Sequence, residues 1–402
     1  MSDQVRVLRI RACRNDLLRF AKAYLRHRFP LSRSTMHRDF AKDANALDSA
    51  QPLRLAMAAP DGYGKSSLVT FALVLWCLAY QKRRCIVIGS STRQVAGEHL
   101  AGIDHELRTN DRLIADFPHL SRVGRTSGAS GSRASPPRLL SIPGVGRVQT
   151  IGPSSHITGV NFEGGRPDLF VLDEFDGGIL GSNDAWKLDG TDSATSRMVR
   201  AIESRILHRY TDASVVVTSP LLASGCLIDR LLEPKQTMRW TQRFYPAVLK
   251  YPDRFDLWFE WARLATSKPQ TAATFADQHG SIMMKGAQVL WPEHESFERL
   301  MQLRFEHGWE WFDAFRQGRP VGGSLRTRHL STPAVLISIG TDAENQSEDL
   351  ESFVIDDAGY RRPVAATRDR TPVRIVIRDE MRRLEGDPLP AAASGPVDGL
   401  VF

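Results

Sequence analysis

The sequence predicts an α/β protein with a doubly wound, mainly parallel sheet and helices on both of its faces. Three observations support this fold class. Short, continuous apolar runs recur between residues 53 and 218, as in parallel strands that are buried on both sides. They alternate with runs of helical periodicity, which is the order of β-α-β units. A glycine-rich turn joins the first strand to its helix. The predicted strands are 53–57, 84–90, 169–172 and 215–218.

The elements between these strands follow from local signals. Residues from Arg6 onward mix basic and apolar side chains at helical spacing, and we expect one amphipathic helix that ends at Phe29-Pro30. Residues 94–108 are predicted to form a helix after the second strand. Residues 139–151 read as a hairpin around Gly144-Val145-Gly146.

The composition is that of an ordinary globular chain. Its 402 residues can form two domains, or one large domain with additions, and the net charge of +7 weakly favours a polyanionic partner. The longest apolar run, 68–80, is shorter than the ~20 residues of a membrane span, so we expect a buried helix and no membrane partner. Four cysteines without metal-ligand spacing predict reduced thiols in a cytoplasmic protein: Cys13, Cys77, Cys85 and Cys226.

The turn after the first strand has the pattern of a phosphate-binding loop. We expect its backbone N–H groups to face a β-phosphate, Lys65 to reach the β- and γ-phosphates, and the Ser66 hydroxyl to hold Mg²⁺. Ala59 stands where the pattern G-x-x-x-x-G-K-[ST] requires its first glycine. Taken alone, the segment is therefore equally compatible with a tight turn and a solvated lysine. The predicted ATP-binding residues are Pro60, Asp61, Gly62, Tyr63, Gly64, Lys65, Ser66 and Ser67.

An acidic pair follows the predicted strand 169–172. Asp173, at the carboxyl end of that strand, is expected to hold the Mg²⁺ through water beside Ser66. Glu174 is then placed to orient and deprotonate the attacking water. The alternative is a strand that ends in a solvated acidic turn, and the loop upstream favours the nucleotide site.

Taken together, these segments resemble the large subunit of bacteriophage DNA-packaging terminases over about residues 20–320. The resemblance is carried by 59–66, 157–159, 166–168, 173–174, 215–220 and 290–293. It implies a P-loop NTPase core that hydrolyses ATP with Mg²⁺ and couples hydrolysis to movement of double-stranded DNA. The implied partners are a portal protein, a terminase small subunit and further copies in a homo-oligomeric ring, in the cytoplasm of a bacterial host. Thr218 and Ser219 would couple hydrolysis to movement.

The sequence departs from this family at two positions. Asp61 stands where an arginine or lysine is frequent, and no arginine follows Gly159. This leaves open which arginine stabilises the charge of the transition state. Arg166 and Arg205 are the candidates, and we expect Arg205 to act across a subunit boundary.

The resemblance also suggests a domain organisation. Residues 1–50 would be an N-terminal helical segment, 51–250 the ATPase core and 251–330 a helical linker region. Terminases continue into a nuclease of the ribonuclease H kind, which usually needs ~100–150 residues. We therefore expect 331–402 to be a truncated or partly disordered remnant, with strands at 335–339 and 353–355. Asp342 is its candidate metal ligand, and a polar turn is the alternative.

Two other functions remain open at the level of sequence. One is a helicase-like or other DNA-stimulated ATPase, which would need a second recombinase-like domain. The other is a catalytically idle remnant that binds DNA or capsid partners, which Ala59 and Asp61 keep open. An ATPase assay with and without duplex DNA separates these readings.

Overall fold

The structure is a computed structural model and its description is limited to part of the chain. The described residues are 3–49, 51–124, 137–153, 155, 162–176, 202, 206–236, 238–319, 335–338, 352–355 and 361–363. They belong to two compact units, which are described one at a time. The first unit holds the described residues up to 247, with 290–294 and 310–319. The second holds 248–289, 295–309 and the three short strands after residue 334.

A mainly parallel sheet forms the centre of the first unit. Its strands are β1 (Arg54–Ala58), β2 (Cys85–Ser90), β3 (Leu139–Ile142), β4 (Gly146–Ile151), β5 (Leu169–Asp173), β6 (Ser214–Ser219) and β7 (Thr241–Phe244). Among the described residues the sheet has seven strands in the order β3-β4-β2-β5-β6-β1-β7. Each neighbouring pair is parallel except the β3–β4 hairpin. The predicted α/β class, its central strands and the hairpin are confirmed.

The central strands are apolar except at their ends because both faces of the sheet are covered. Every residue of β2, β5 and β6 is buried. On one face, Phe170 and Val215 belong to a core cluster with Tyr210, whose ring centroid is 5.3 Å from that of Phe170. A buried strand of this kind cannot alternate polar and apolar residues, which is why its sequence reads as one continuous run.

Helices flank the strands along the first unit. They are α1 (Asp3–Cys13), α2 (Leu17–Tyr24), α3 (Thr35–Ala44), α4 (Leu73–Ala79), α5 (Arg93–Thr109), α6 (Asp111–Asp116) and α7 (Leu227–Leu231). The prediction of a single helix up to Phe29 is wrong. The helix breaks before Asp16, whose carboxylate accepts a hydrogen bond from the Arg19 backbone N–H (2.8 Å) and so begins α2 as its N-cap.

The second unit is mainly helical where it is described. Helices α8 (Asp256–Ser267) and α9 (Pro269–Met284) form a hairpin, and the Trp258 indole donates to the Met283 carbonyl oxygen over 2.9 Å. Strands β8 (Val248–Lys250) and β9 (Gln288–Val289) pair antiparallel. The predicted helical run 297–315 is two helices, α10 (Phe297–His307) in this unit and α11 (Trp309–Phe315), whose residues 310–315 belong to the first unit. They are separated at Gly308, whose φ of +84° ends α10.

Three short strands after residue 334 pair antiparallel in the order β10-β11-β12. They are β10 (Val335–Ser338), β11 (Ser352–Ile355) and β12 (Arg361–Pro363). The two strands predicted there are confirmed, whereas Asp342 lies outside the described residues. Within the described part of the chain, no helix is both long and apolar enough to cross a membrane.

Candidate active site

The predicted site residues meet at one edge of the sheet because β1, β5 and β6 are parallel. Strand β6 lies between β1, which leads into the phosphate loop, and β5, which ends at Asp173. At the end of β6, Thr218 is in register with Met57 on one side and with Asp173 on the other. Neighbouring strands are ~4.8 Å apart, so β1 and β5 are separated by about 10 Å. The loop and the acidic pair therefore lie at the same edge of the sheet, on either side of the end of β6.

The predicted phosphate loop, residues 60–67, turns at two glycines. Gly62 and Gly64 have φ values of +79° and +77°, which side chains with a Cβ rarely adopt. The helix begins within the loop, where the Leu68 N–H donates to the Gly64 carbonyl oxygen over 3.0 Å. Its residues Ser67–Ala72 are π-helical before α4 begins at Leu73. π-Helical segments are rare in proteins, and those that do occur often lie at functional sites.

Lys65 lies inside the loop, with its side chain only 3% exposed. The ammonium group donates to the Pro60 carbonyl oxygen over 2.9 Å, and it lies 3.7 Å from Asp61 Oδ1 and 3.8 Å from Glu174 Oε1. A buried lysine that faces two carboxylates is not the solvated lysine of the alternative reading. Asp61 is 61% exposed and also accepts from the Gly62 N–H (3.2 Å), so its charge is partly directed to solvent.

Asp173 is buried, and only one of its carboxylate oxygens is paired. Oδ2 accepts from the Thr70 hydroxyl over 2.7 Å, whereas buried Oδ1 has no hydrogen-bond partner among the described residues. The Ser90 hydroxyl donates to the Asp173 backbone carbonyl oxygen over 2.9 Å and fixes the end of β5. Nearby His99 has its Nδ1 atom 3.9 Å from Oδ2. An unpaired buried carboxylate oxygen is the kind of group that a cation or its water ligands would satisfy.

The donor set fits Mg²⁺ bound with a nucleotide better than a metal bound by protein alone. Among the described residues, no group of three or more His, Cys, Asp or Glu side chains could hold a metal ion. Mg²⁺ usually keeps several waters and takes one or two protein oxygens beside substrate phosphates. Asp173 at the end of β5, with Ser66 at the start of the helix, meets that requirement.

Glu174 has an uncommon backbone conformation. Its φ of +51° is in the left-handed region, which is uncommon for residues other than glycine. Its backbone N–H donates to the Thr218 carbonyl oxygen over 2.8 Å, which holds the turn against β6. Burial raises the pKa of Glu174, Lys65 opposes this rise, and the net direction is upward. The side chain is still 40% exposed, so water can reach a carboxylate whose basicity is enhanced.

Aromatic residues from three parts of the sequence pack beside the phosphate loop. Tyr63 within the loop, His37 on α3, and Trp291 and His294 form this loop-flanking cluster, with ring centroids 4.7–6.1 Å apart in the contacting pairs. The Trp291 indole also donates to the Ser32 carbonyl oxygen over 2.9 Å. The cluster fixes one side of the loop through edge-to-face and tilted contacts.

The structure locates some of the remaining predicted residues and leaves others outside its description. Thr218 and Ser219 lie between the loop and the acidic pair, and the Ser219 hydroxyl donates to the Pro220 carbonyl oxygen (3.1 Å). Arg205 and segment 157–159 lie outside the described residues. Arg166, the other candidate for the transition-state arginine, is among the described residues. It precedes the amino end of β5, roughly 15 Å or more from the end that carries Asp173.

Four polar residues of this region were not predicted from the sequence as site residues: Thr70, Ser90, His99 and His37. Thr70 follows Ser66 by one helical turn, so spacing within the helix could have indicated it. Ser90 ends a buried strand at the same sheet edge as Asp173, which is also a usable signal. The resemblance to terminases places the segment 30–37 near the adenine but gives His37 no role of its own. His99 comes from another element, and only the fold brings it close.

Comparisons with known proteins identify no family for this chain. No protein-family model matches the sequence, and no curated protein matches it. Among solved structures, the chain is similar to the crystal structure of the HK97 bacteriophage large terminase, with a TM-score of 0.36 and 12% sequence identity. The match covers 62% of this chain and 48% of that chain, so it spans about half the length of the HK97 protein. The function is therefore argued from the site residues.

Proposed function

We propose that this chain is an Mg²⁺-dependent ATPase of the P-loop kind that acts as a motor subunit for packaging double-stranded DNA into phage heads. One observation carries the ATPase part. Buried Lys65 lies in a glycine-containing loop at the carboxyl edge of the sheet, and its Nζ atom is 3.8 Å from Oε1 of Glu174, whose pKa is raised. This arrangement suits phosphoryl transfer to water.

The roles of the residues follow from their positions. Backbone N–H groups of Gly62 to Ser66, with the positive end of the helix, would bind the phosphates, and Lys65 would leave the Pro60 carbonyl to contact them. Asp173, held by Thr70, and Ser66 would hold Mg²⁺, which neutralises developing charge on the phosphates when bound. Glu174 would accept the proton of the attacking water.

The packaging part rests on the sequence resemblance to terminases and on two features of the fold. Thr218, at the end of β6, accepts a hydrogen bond from the Glu174 backbone N–H through its carbonyl oxygen. A change at the γ-phosphate that moves Glu174 would therefore be transmitted to β6. The second unit, where described, is a helical hairpin with short strands, whereas a helicase would need a second parallel sheet. Arg205 as an arginine supplied to a neighbouring subunit, a ring of copies, and portal and small-subunit partners are parts of the same proposal.

The test measures phosphate release by the purified protein with Mg²⁺, with and without linear duplex DNA. We expect Lys65→Ala to lose ATP binding and turnover, because it removes the buried cation of the loop. Glu174→Gln should still bind ATP while turnover falls by ~10²-fold or more, because the amide cannot accept a proton. Lys42→Ala, which removes an exposed lysine paired with Asp39, is the matched control and should be unchanged.

The outcomes distinguish a packaging ATPase from an idle remnant and from an ATPase of another kind. Unchanged turnover in Lys65→Ala would refute the ATPase assignment. ATP binding without turnover in the wild-type protein would favour the idle remnant. Turnover that duplex DNA does not stimulate, with no DNA bound, would contradict the packaging role and leave an ATPase of another kind.

A further inference from the structure

The buried histidine of α3 lies against the phosphate loop with one nitrogen unused. His37 is 2% exposed. Its Nε2 atom is 3.2 Å from the position that a Cβ on Gly64 would occupy. Gly64 is in the run of residues whose N–H groups form the anion-binding turn. His37 therefore borders the phosphate-binding turn itself.

The hydrogen bonds of His37 identify its tautomer. The backbone N–H of Ser34 donates to His37 Nδ1 (3.3 Å), and the Ser34 hydroxyl is 2.7 Å from the same nitrogen. A backbone N–H is always a donor, so Nδ1 must be the acceptor and carries no proton. The neutral ring must then carry its proton on Nε2, the nitrogen that faces Gly64. No hydrogen bond from Nε2 is found in the described part of the chain.

The surroundings keep the ring neutral and the region positive. The pKa of His37 is lowered to about 4, mainly by burial and in addition by the nearby charges of Arg33, Arg38 and His294. The charges that disfavour a second proton on the ring favour an anion beside it. Trp291 packs edge-on against the imidazole at 4.7 Å and holds its orientation.

We propose that His37 contacts the phosphates of the bound nucleotide, its Nε2–H joining the backbone N–H groups of the loop as a hydrogen-bond donor. This inference rests on the proposed nucleotide site and adds a ligand-contacting side chain to it. A neutral N–H aimed at an anion forms a charge-assisted hydrogen bond, and such bonds are among the stronger ones in proteins.

The main competing explanation is purely structural, because His37 also completes a capping box with Ser34 at the start of α3. Glutamine is a normal residue at that position of a capping box. In His37→Gln, the side-chain oxygen of the glutamine can accept from the Ser34 N–H, so the reciprocal cap is kept. The substitution removes the ring N–H beside Gly64. Ser34→Ala is the matched variant, since it removes the cap hydroxyl and keeps the imidazole.

The experiment measures binding of ADP and of inorganic tripolyphosphate to the full chain with Mg²⁺ by calorimetry, together with the midpoint of thermal unfolding. We expect His37→Gln to weaken both ligands by about 10-fold or more, the effect of losing one hydrogen bond to a charged group. Its unfolding midpoint should stay near that of the wild type. Ser34→Ala should lower the midpoint and affect both affinities less.

Three results would overturn the proposal. Wild-type affinity for both ligands in His37→Gln would leave His37 with a capping role only. Weaker ADP binding with unchanged tripolyphosphate binding would place the contact on the nucleoside and not on the phosphates. If the variant fails to fold, ¹⁵N NMR of the wild-type imidazole gives the answer, since an unchanged Nε2 resonance on adding tripolyphosphate excludes the contact.

Failure of the proposed function gives a different pattern. If the wild-type protein binds neither ADP nor tripolyphosphate, the nucleotide site itself is wrong. If Lys65→Ala loses both ligands while His37→Gln keeps them, the site stands and only the role of His37 is refuted.

Discussion

Thr70→Val tests how Asp173 is held. Thr70 is fully buried, and its hydroxyl donates to Asp173 Oδ2 over 2.7 Å. Valine has a similar shape, so the substitution removes the hydrogen bond and largely keeps the packing. Since Asp173 Oδ1 has no partner in the described structure, the variant would leave this buried carboxylate with no side-chain hydrogen bond there.

The expected magnitude follows from that loss. A hydrogen bond to a charged group contributes about 1.5–3 kcal/mol. Because the carboxylate is buried and otherwise unpaired, we expect Thr70→Val to lower the free energy of unfolding by about 2–3 kcal/mol. In a unit of this size, the midpoint of thermal unfolding should fall by about 4–12 °C. With Asp173 no longer fixed, half-maximal ATPase activity should also require more Mg²⁺.

Thr70→Ser is the control that separates hydrogen bonding from packing. It keeps the hydroxyl and loses one buried methyl group, at a cost of about 1 kcal/mol. The assay is thermal unfolding without nucleotide, followed by a Mg²⁺ titration of phosphate release. If Thr70→Val is as stable as the wild type and Thr70→Ser is the less stable variant, packing dominates and Asp173 is not held by Thr70.

Two further predictions concern stability around the site. In the folded protein His37 stays neutral down to about pH 4, whereas in the unfolded chain it takes up a proton near pH 6.5. The free energy of unfolding should therefore decrease as the pH falls from about 6.5 to about 4, by up to about 1.4 kcal/mol per pH unit. When the free energy of unfolding is measured by urea at several pH values in this range, it should depend less steeply on pH in His37→Gln than in the wild type. The same dependence on pH in both proteins would contradict a buried neutral ring. In Gly89→Ala, the new Cβ would lie 2.7 Å from Leu172 and 2.8 Å from Phe175, so we expect a loss of about 1–3 kcal/mol and lower turnover from displacement of the Glu174 turn. Gly280→Ala, with open space around the added Cβ, should be at least as stable as the wild type, and equal stability of both variants would refute the close approach at Gly89.

The strands could be predicted because their burial leaves a direct trace in sequence. Strands β2, β5 and β6 are buried at every residue, so each reads as an apolar run with polar residues only at its ends. The turn before Lys65 was also predictable, since two positive φ values require glycines at fixed offsets from that residue. Both signals are local, and a single sequence is enough to show them.

The rest of the site depends on contacts that no local pattern encodes. His37 meets Gly64 because α3 packs beside the loop, and Trp291 reaches Ser32 over 259 residues of sequence. The effect of Asp61 was also not predictable, because its charge matters only through the distance to Lys65 and its exposure. The break before α2 was missed because apolar spacing continues across Asp16, and capping prevails there over periodicity.

The position of Trp291 late in the sequence has a consequence for how the protein is made. Long-range contacts of this kind close large loops and form late in folding. At a synthesis rate of 5–20 residues per second, roughly 10–45 s separate the appearance of Gly64 from that of Trp291 on the ribosome. Throughout that interval, the nascent phosphate loop has its glycines and its lysine but lacks the indole that packs against His37. A fragment that stops near residue 250 is permanently in that state.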